Sequence, residues 1–308
     1  MLKTDSLFKT LCLAAAALTA LLTLGFFVQL ILSSMPVWRE SGLHFLISCE
    51  WDPAEQKFGA LPSIAGTLIT TFIAVILAVP LAFAAALFIT DARPAIGTVL
   101  GHAIDLLAAI PSVIYGMFGL FVLAPVMQDH VQPFLIGTLK LNHVPLLGRL
   151  LGSETSGFGL LTAGLILSIM ILPYICAIMR DVFIMTPPVL KESAFGIGCT
   201  RWETAKDIIV PFGIRSILGG IFLGIGRALG ETMAVLFVIG NVMKFPENLF
   251  SGATTIAGTI ANNFAEADGM QKSALFALGL ILLFMSFCIQ VISQSYLKMT
   301  SSGRGEKK

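Results

Sequence analysis

The feature that most constrains this chain is a series of apolar runs, each long enough to cross a bilayer, set between shorter polar stretches. A run buried in lipid finds no water for its backbone, so it must satisfy its own N–H and C=O groups, which for one segment means a helix of about 20 residues. Six such runs are expected, at Leu11–Ser33, Gly66–Ile89, Val99–Met127, Gly157–Ile178, Ile214–Val242 and Ser273–Tyr296. Composition points the same way: 56% of residues are hydrophobic and only 12% charged, against about a quarter charged in a soluble domain. The net charge of +1 leaves no global field that would favour nucleic acid. The fold class is therefore all-α integral membrane, with six transmembrane helices and the lipid bilayer as solvent.

Lys3 and Lys9 precede the first run, which is too long for a signal peptide core and is followed by no small-x-small cleavage site, so it reads as an uncleaved span. Residues 34–65, with Trp38, Trp51 and Pro53, suit an external loop dipping into the headgroup region. The turn TDARP leads into the third run, which Pro111 interrupts. Residues 128–156 and 244–272 read as loops on the outer side. Six spans put both termini on one side, together with the 90–98 turn and the 179–215 stretch. That side carries twelve basic residues: Lys3, Lys9, Arg93, Arg180, Lys191, Arg201, Lys206, Arg215, Lys298, Arg304, Lys307 and Lys308. The other carries six, Arg39, Lys57, Lys140, Arg149, Lys244 and Lys272, so the termini are expected to be cytoplasmic. Cys12, Cys49, Cys176, Cys199 and Cys288 lack metal or disulfide spacing, and neither a metal nor a cofactor is expected.

The fifth run holds two charges, Arg227 and Glu231, where insertion costs about 2.5 to 3.5 kcal/mol per charge. At 100° per residue Gly220, Gly224, Arg227 and Glu231 share one stripe of a continuous helix. A face that pairs small residues with a charge reads as the wall of a solute pathway. The same residues admit a second reading, in which Arg227 and Glu231 form an i,i+4 pair and the glycines let another helix approach.

Between the fourth and fifth runs, residues 185–212 hold two helix starts. Thr186-Pro187-Pro188 opens one, stopped by Gly196 and Gly198, and Thr200-Arg201-Trp202-Glu203 has the spacing of a capping box. The second helix is expected over Arg201–Val210, before Pro211, giving a cytoplasmic helix-turn-helix. Glu192-Ser193-Ala194, three residues, Gly198, nine residues and Ile208-Ile209-Val210-Pro211 resemble the E-A-A-x3-G-x9-I-x-L-P motif of importer-type ABC permeases. Ser193 and Val210 are small departures from it. The resemblance implies a type I importer permease fold in which this loop docks on a separate ATP-hydrolysing subunit.

A second resemblance narrows the solute. Gly226–Val235, GRALGETMAV, and Ile110–Gly116, IPSVIYG, are similar to the phosphate-specific permeases, on the PstC side of that pair. Sulfate and molybdate permeases share a related R-A-L-G-E segment and are the alternative. The likeness implies transport roles for Arg227 and Glu231, a PstA-like second permease, a PstB-like ATP-binding dimer and a PstS-like external phosphate-binding protein. It divides the chain into 1–63, a first helix with its external loop, and 64–308, the permease core in an inner membrane. No GxxxxGK[ST] cradle occurs, so ATP hydrolysis is expected elsewhere, and the absence of G-x-S-x-G or H-E-x-x-H argues against an enzyme.

Overall fold

The computed structural model describes residues 2–138, 151–152 and 155–302. Lys140, Arg149, Arg304, Lys307 and Lys308, part of the expected 128–156 loop and the end of the basic tail lie outside the described residues. Helix α1 (Leu2–Ser41) is followed by the short α2 (His44–Ile47) and a two-stranded hairpin, β1 (Trp51–Asp52) and β2 (Lys57–Phe58), paired antiparallel. Next come α3 (Leu61–Asp91), α4 (Pro94–Ala109) and α5 (Ser112–Gly137), the last alternating α and π turns. Helix α6 (Leu160–Met185) leads through α7 (Pro188–Gly196) into α8 (Arg201–Leu229). The short α9 (Met233–Leu236), α10 (Ile256–Asn263) and the long α11 (Gly269–Ser302) complete the order.

Among the described residues six helices are long and apolar enough to cross a membrane: α1, α3, α5, α6, α8 and α11. The number agrees with the sequence reading, but several boundaries do not, and α1 continues to Ser41, into the stretch expected as an external loop. The third span is Ser112–Gly137, because the helix ends at Ala109 and restarts after Pro111, leaving α4 as a separate, shorter helix. Proline removes a donor and holds the preceding residue extended, here Ile110 at ψ 127°. The fifth helix stops at Leu229 instead of running to Val242, and residues 237–255 are largely irregular backbone, with Val238, Ile239, Phe250 and Ala253 buried and Val242 and Phe245 exposed.

Such backbone is tolerated at membrane depth only where protein covers it. Here Val238 and Leu249 carbonyls accept the Gly159 and Leu161 N–H groups at 3.0 and 2.9 Å. A buried hydroxyl cluster does the rest: Thr67 Oγ1 accepts from the Ile256 N–H at 2.9 Å, and Ser63 and Thr254 each share a hydrogen bond with Thr259 Oγ1.

The main core lies between α3, α6 and α8. Ala74, Ala78, Ala82 and Ala86 form a fully buried edge of α3, in the core it shares with α6, as expected where small side chains let helices approach in lipid. Helix α1 packs on α11, and a second core joins Val37 and Phe45 to Leu275 and Leu278 beneath the hairpin.

Candidate transport site at two helix breaks

Helices α6 and α8 run antiparallel and meet along a seam of glycines. A Cβ at Gly213 would overlap Val182, one at Gly220 would lie 2.9 Å from Ile178 Cγ2, and one at Gly224 would lie 2.8 Å from Ile175 Cδ1. The predicted stripe residues Gly220 and Gly224 thus sit against the branched side chains of α6. Arg227 falls on the next rung, its Cζ 4.4 Å from the ring centroid of Tyr174 on α6.

The depth of this contact follows from α6 itself. Tyr174 is 14 residues after Leu160 and 11 before Met185, or about 21 and 16 Å at 1.5 Å per residue, close to the middle of a hydrocarbon layer of about 30 Å. Counted along α6, the Arg227–Tyr174 contact falls near mid-span, and Arg227 lies in the last turn of α8 and not in the interior of a longer helix. The helix breaks at Gly230–Thr232, and Glu231 lies within the break, where its Oε1 accepts the Ala234 N–H at 3.1 Å.

Among the described residues no ion pair joins Arg227 to Glu231, so neither direct pairing nor a shared continuous helix face describes them. Each charge instead lies at a helix end: the cation in the last turn of α8, where the helix dipole favours positive charge, and the anion on the Ala234 N–H opening α9.

The second break, between α4 and α5, reaches the same level. Tyr174 Oη donates to the Ala108 carbonyl at 2.8 Å, and Tyr115 Oη donates to the Leu107 carbonyl at 2.8 Å. These are carbonyls at the end of α4, where the interrupted helix offers few N–H partners of its own. The α9 segment packs on the start of α5, where Gly116 leaves room for Phe237 and for the Met233 carbonyl. Two interrupted helices therefore converge on one tyrosine and one arginine. Nothing in periodicity pointed to Tyr174, although it is one of only three tyrosines and a polar handle deep in an apolar span.

Toward the other end of α6, Arg180 Nη2 meets Asp105 Oδ1 at 3.4 Å, with Gly101 leaving space for the guanidinium. These residues and His102 border a cavity of about 470 Å³ between α4 and α6. Among the described residues no group of three or more His, Cys, Asp and Glu is placed to hold a metal ion.

The 185–212 stretch follows. Glu192 and Ser193 are exposed on α7, with Ala194 buried beneath. Gly198 has φ +93°, a conformation that suits glycine, and its N–H donates to the Phe195 carbonyl at 3.0 Å. The capping box forms as expected: Thr200 Oγ1 accepts the Glu203 N–H at 3.3 Å and Glu203 Oε2 accepts the Thr200 N–H at 2.7 Å.

The expected stop before Pro211 does not occur. Residues 204–209 form a π turn, whose wider ring carries the helix past the proline's missing donor, so Ile208 and Pro211 lie within α8 and the second helix of the pair is the start of the fifth span. Lys191 Nζ donates to the Phe183 carbonyl at 2.6 Å, and Trp202 packs edge-on to Phe83 of α3. The α7 knob is thus tied to α6, and the start of α8 to α3, while Val189 and Ile197 stay exposed, at 69% and 84%.

Residues 93–297 match the family described as binding-protein-dependent transport system inner membrane component. The chain is 45% identical over 304 residues to the phosphate transport system permease protein PstC of Pasteurella multocida, covering 98% of this chain and 94% of that one. It is 47% identical over 303 residues to the PstC of Mesorhizobium japonicum, covering 98% and 92%. In structure it resembles a bacterial ABC transporter involved in the import of the acidic polysaccharide alginate, with a TM-score of 0.59 at 16% identity over 99% of both chains. The inward-facing MetNI methionine ABC transporter gives a TM-score of 0.55 at 13% identity, over 79% of this chain and 94% of that one.

Proposed function

Because the chain belongs to the binding-protein-dependent inner-membrane permeases, and among them to the phosphate permeases of the PstC type, we propose that Arg227 is the residue phosphate meets in transit. The chain is a multi-pass membrane protein and the permease component of an ATP-driven phosphate importer, with ATP hydrolysis in a separate subunit. What remains to be assigned is how its own residues move the anion.

Phosphate carries one to two negative charges near neutral pH, and a guanidinium offers it a fixed charge with a planar fork of donors. The observation that carries this role is the exposure of Arg227 in the subunit near mid-span. Lipid against that side chain would be costly, so the face needs water, solute or a second protein surface across from it. A PstA-like second permease supplies that surface in a heterodimer. Glu231, within the break, lowers the local positive potential so that phosphate is attracted without being trapped. Gly220 and Gly224 support the pathway by letting α8 and α6 close up beneath it.

Residues 185–212 form the coupling loop of a core spanning 64–308, with 1–63 as an added helix and external loop. Glu192, Ser193, Ala194 and Gly198 shape the α7 knob that docks on a PstB-like ATP-binding dimer, and Ile208 and Pro211 join it to the fifth span. A PstS-like binding protein delivers phosphate from the other side. Both termini are cytoplasmic, in keeping with the excess of basic residues on that side.

The test is uptake of labelled phosphate by membrane vesicles holding the complete importer, with sulfate and molybdate as competitors. Arg227→Gln is expected to abolish uptake while leaving insertion and assembly intact. Unimpaired uptake would reject the pathway role, and equal competition by sulfate would reject phosphate selectivity.

A further inference from the structure

Arg227 has many rotamers and, among the described residues, no carboxylate partner, so something else must hold it at the breaks. The Tyr174 ring lies under the guanidinium, with Arg227 Cζ 4.4 Å from its centroid. That ring is fixed in turn: its hydroxyl donates to the Ala108 carbonyl at 2.8 Å, and its backbone belongs to α6, locked to α8 by the glycine seam. Two turns further along α6 the Arg180–Asp105 contact ties the same two helices, α6 and α4, a second time.

We propose that Tyr174 is a positioning residue for phosphate passage, holding the Arg227 guanidinium at the paired helix breaks through its ring face, with its hydroxyl anchored on Ala108. This rests on the transport role of Arg227 given above. The chemical reason for a ring lies in the donor inventory of arginine. A carboxylate would consume the N–H groups on the guanidinium edge, the groups a phosphate oxygen needs. An aromatic face instead attracts the cation through its quadrupole and covers only the flat side. The edge donors stay available, and the cation is restrained without a competing anion. A phenylalanine would also place a ring under the guanidinium, but only a phenol also reaches the Ala108 carbonyl.

The experiment uses the complete importer in vesicles and reads phosphate moved per ATP hydrolysed. Tyr174→Phe removes the hydroxyl and keeps the ring, and is expected to stay within about threefold of the natural protein, the scale of one hydrogen bond. Genetically encoded mono-, di- and trifluorophenylalanine at 174 preserve shape while draining charge from the ring face. Phosphate per ATP is expected to fall stepwise along this series, by about fivefold at the end, the scale of a cation–π contact of about 1 kcal/mol at an exposed site, with assembly and ATP hydrolysis unchanged. A flat series, or one in which assembly and transport fall together, would overturn the proposal. Arg227→Gln separates the two readings. If it abolishes uptake while the series is flat, only the role of Tyr174 falls; if it leaves uptake intact, the role of Arg227 falls first.

Discussion

Gly213→Ala adds one carbon where the structure has no room for it. The new Cβ would overlap Val182 Cγ1, and Val182 is itself buried on α6 at 6% exposure, so the two helices must part or the valine must leave its rotamer. Overpacking of this kind costs about 1 to 3 kcal/mol, while replacing glycine in a helix returns about 1 kcal/mol. The expected net loss is up to about 2 kcal/mol. Gly226→Ala, on the same helix but with nothing within 4 Å of its Cβ, keeps only the gain. The assay is stability of the purified importer in a denaturing-detergent titration, read as a mutant cycle with Val182→Ala, which removes the colliding methyl. The double variant should recover stability relative to the sum of the singles, with a coupling energy of about 1 to 3 kcal/mol. Gly213→Ala as stable as Gly226→Ala, or additive singles, would refute the seam as the contact that aligns Arg227 with Tyr174.

Two further perturbations probe the coupling knob. Gly198→Leu forces a γ-branched residue to φ +93°, a strain of about 1 to 3 kcal/mol, and should weaken co-purification of the ATP-binding subunit and ATP-coupled uptake together; full uptake would remove support for the knob. Thr200→Ala deletes the cap at the start of α8, costs about 1 kcal/mol, and should lower protection from hydrogen exchange over 200–206 while leaving Arg227 at the breaks undisturbed; unchanged exchange would show that Trp202 and the π turn hold the start of α8 without it.

The span count and the capping box were legible because each has a local cause. Hydropathy over about 20 residues records removal from water, and the Thr200–Glu203 reciprocity needs only spacing along the chain. The helix breaks were hidden for the same reason. Val235, Val238 and Ile239 are fully apolar and almost completely buried, but against protein and not lipid, and hydropathy does not tell the two environments apart. Ile214–Val242 therefore read as one helix. Pro211 misled in the opposite sense, since a π turn absorbed a residue that usually ends a helix. Tyr174 was invisible because its importance comes from two distant partners, Arg227 and the Ala108 carbonyl, that only tertiary packing brings to it.

The breaks also explain how two charges are tolerated so deep. Inside an uninterrupted helix all nearby N–H and C=O groups are paired, and Arg227 and Glu231 would have had only each other. Ending α8 at Leu229 puts the cation in the last turn, the helix end that favours positive charge, and starting α9 at Met233 leaves the Ala234 N–H for the anion. Bare carbonyls at the end of a helix would repel a passing phosphate. Tyr115 and Tyr174 place hydroxyls on the carbonyls of Leu107 and Ala108 at the neighbouring break, while Arg227 offsets the end of α8. Arg227 thus supplies the positive charge an anion requires at the crossing, while the carbonyls at the end of α4 are covered by phenol hydroxyls and not by further ionisable groups.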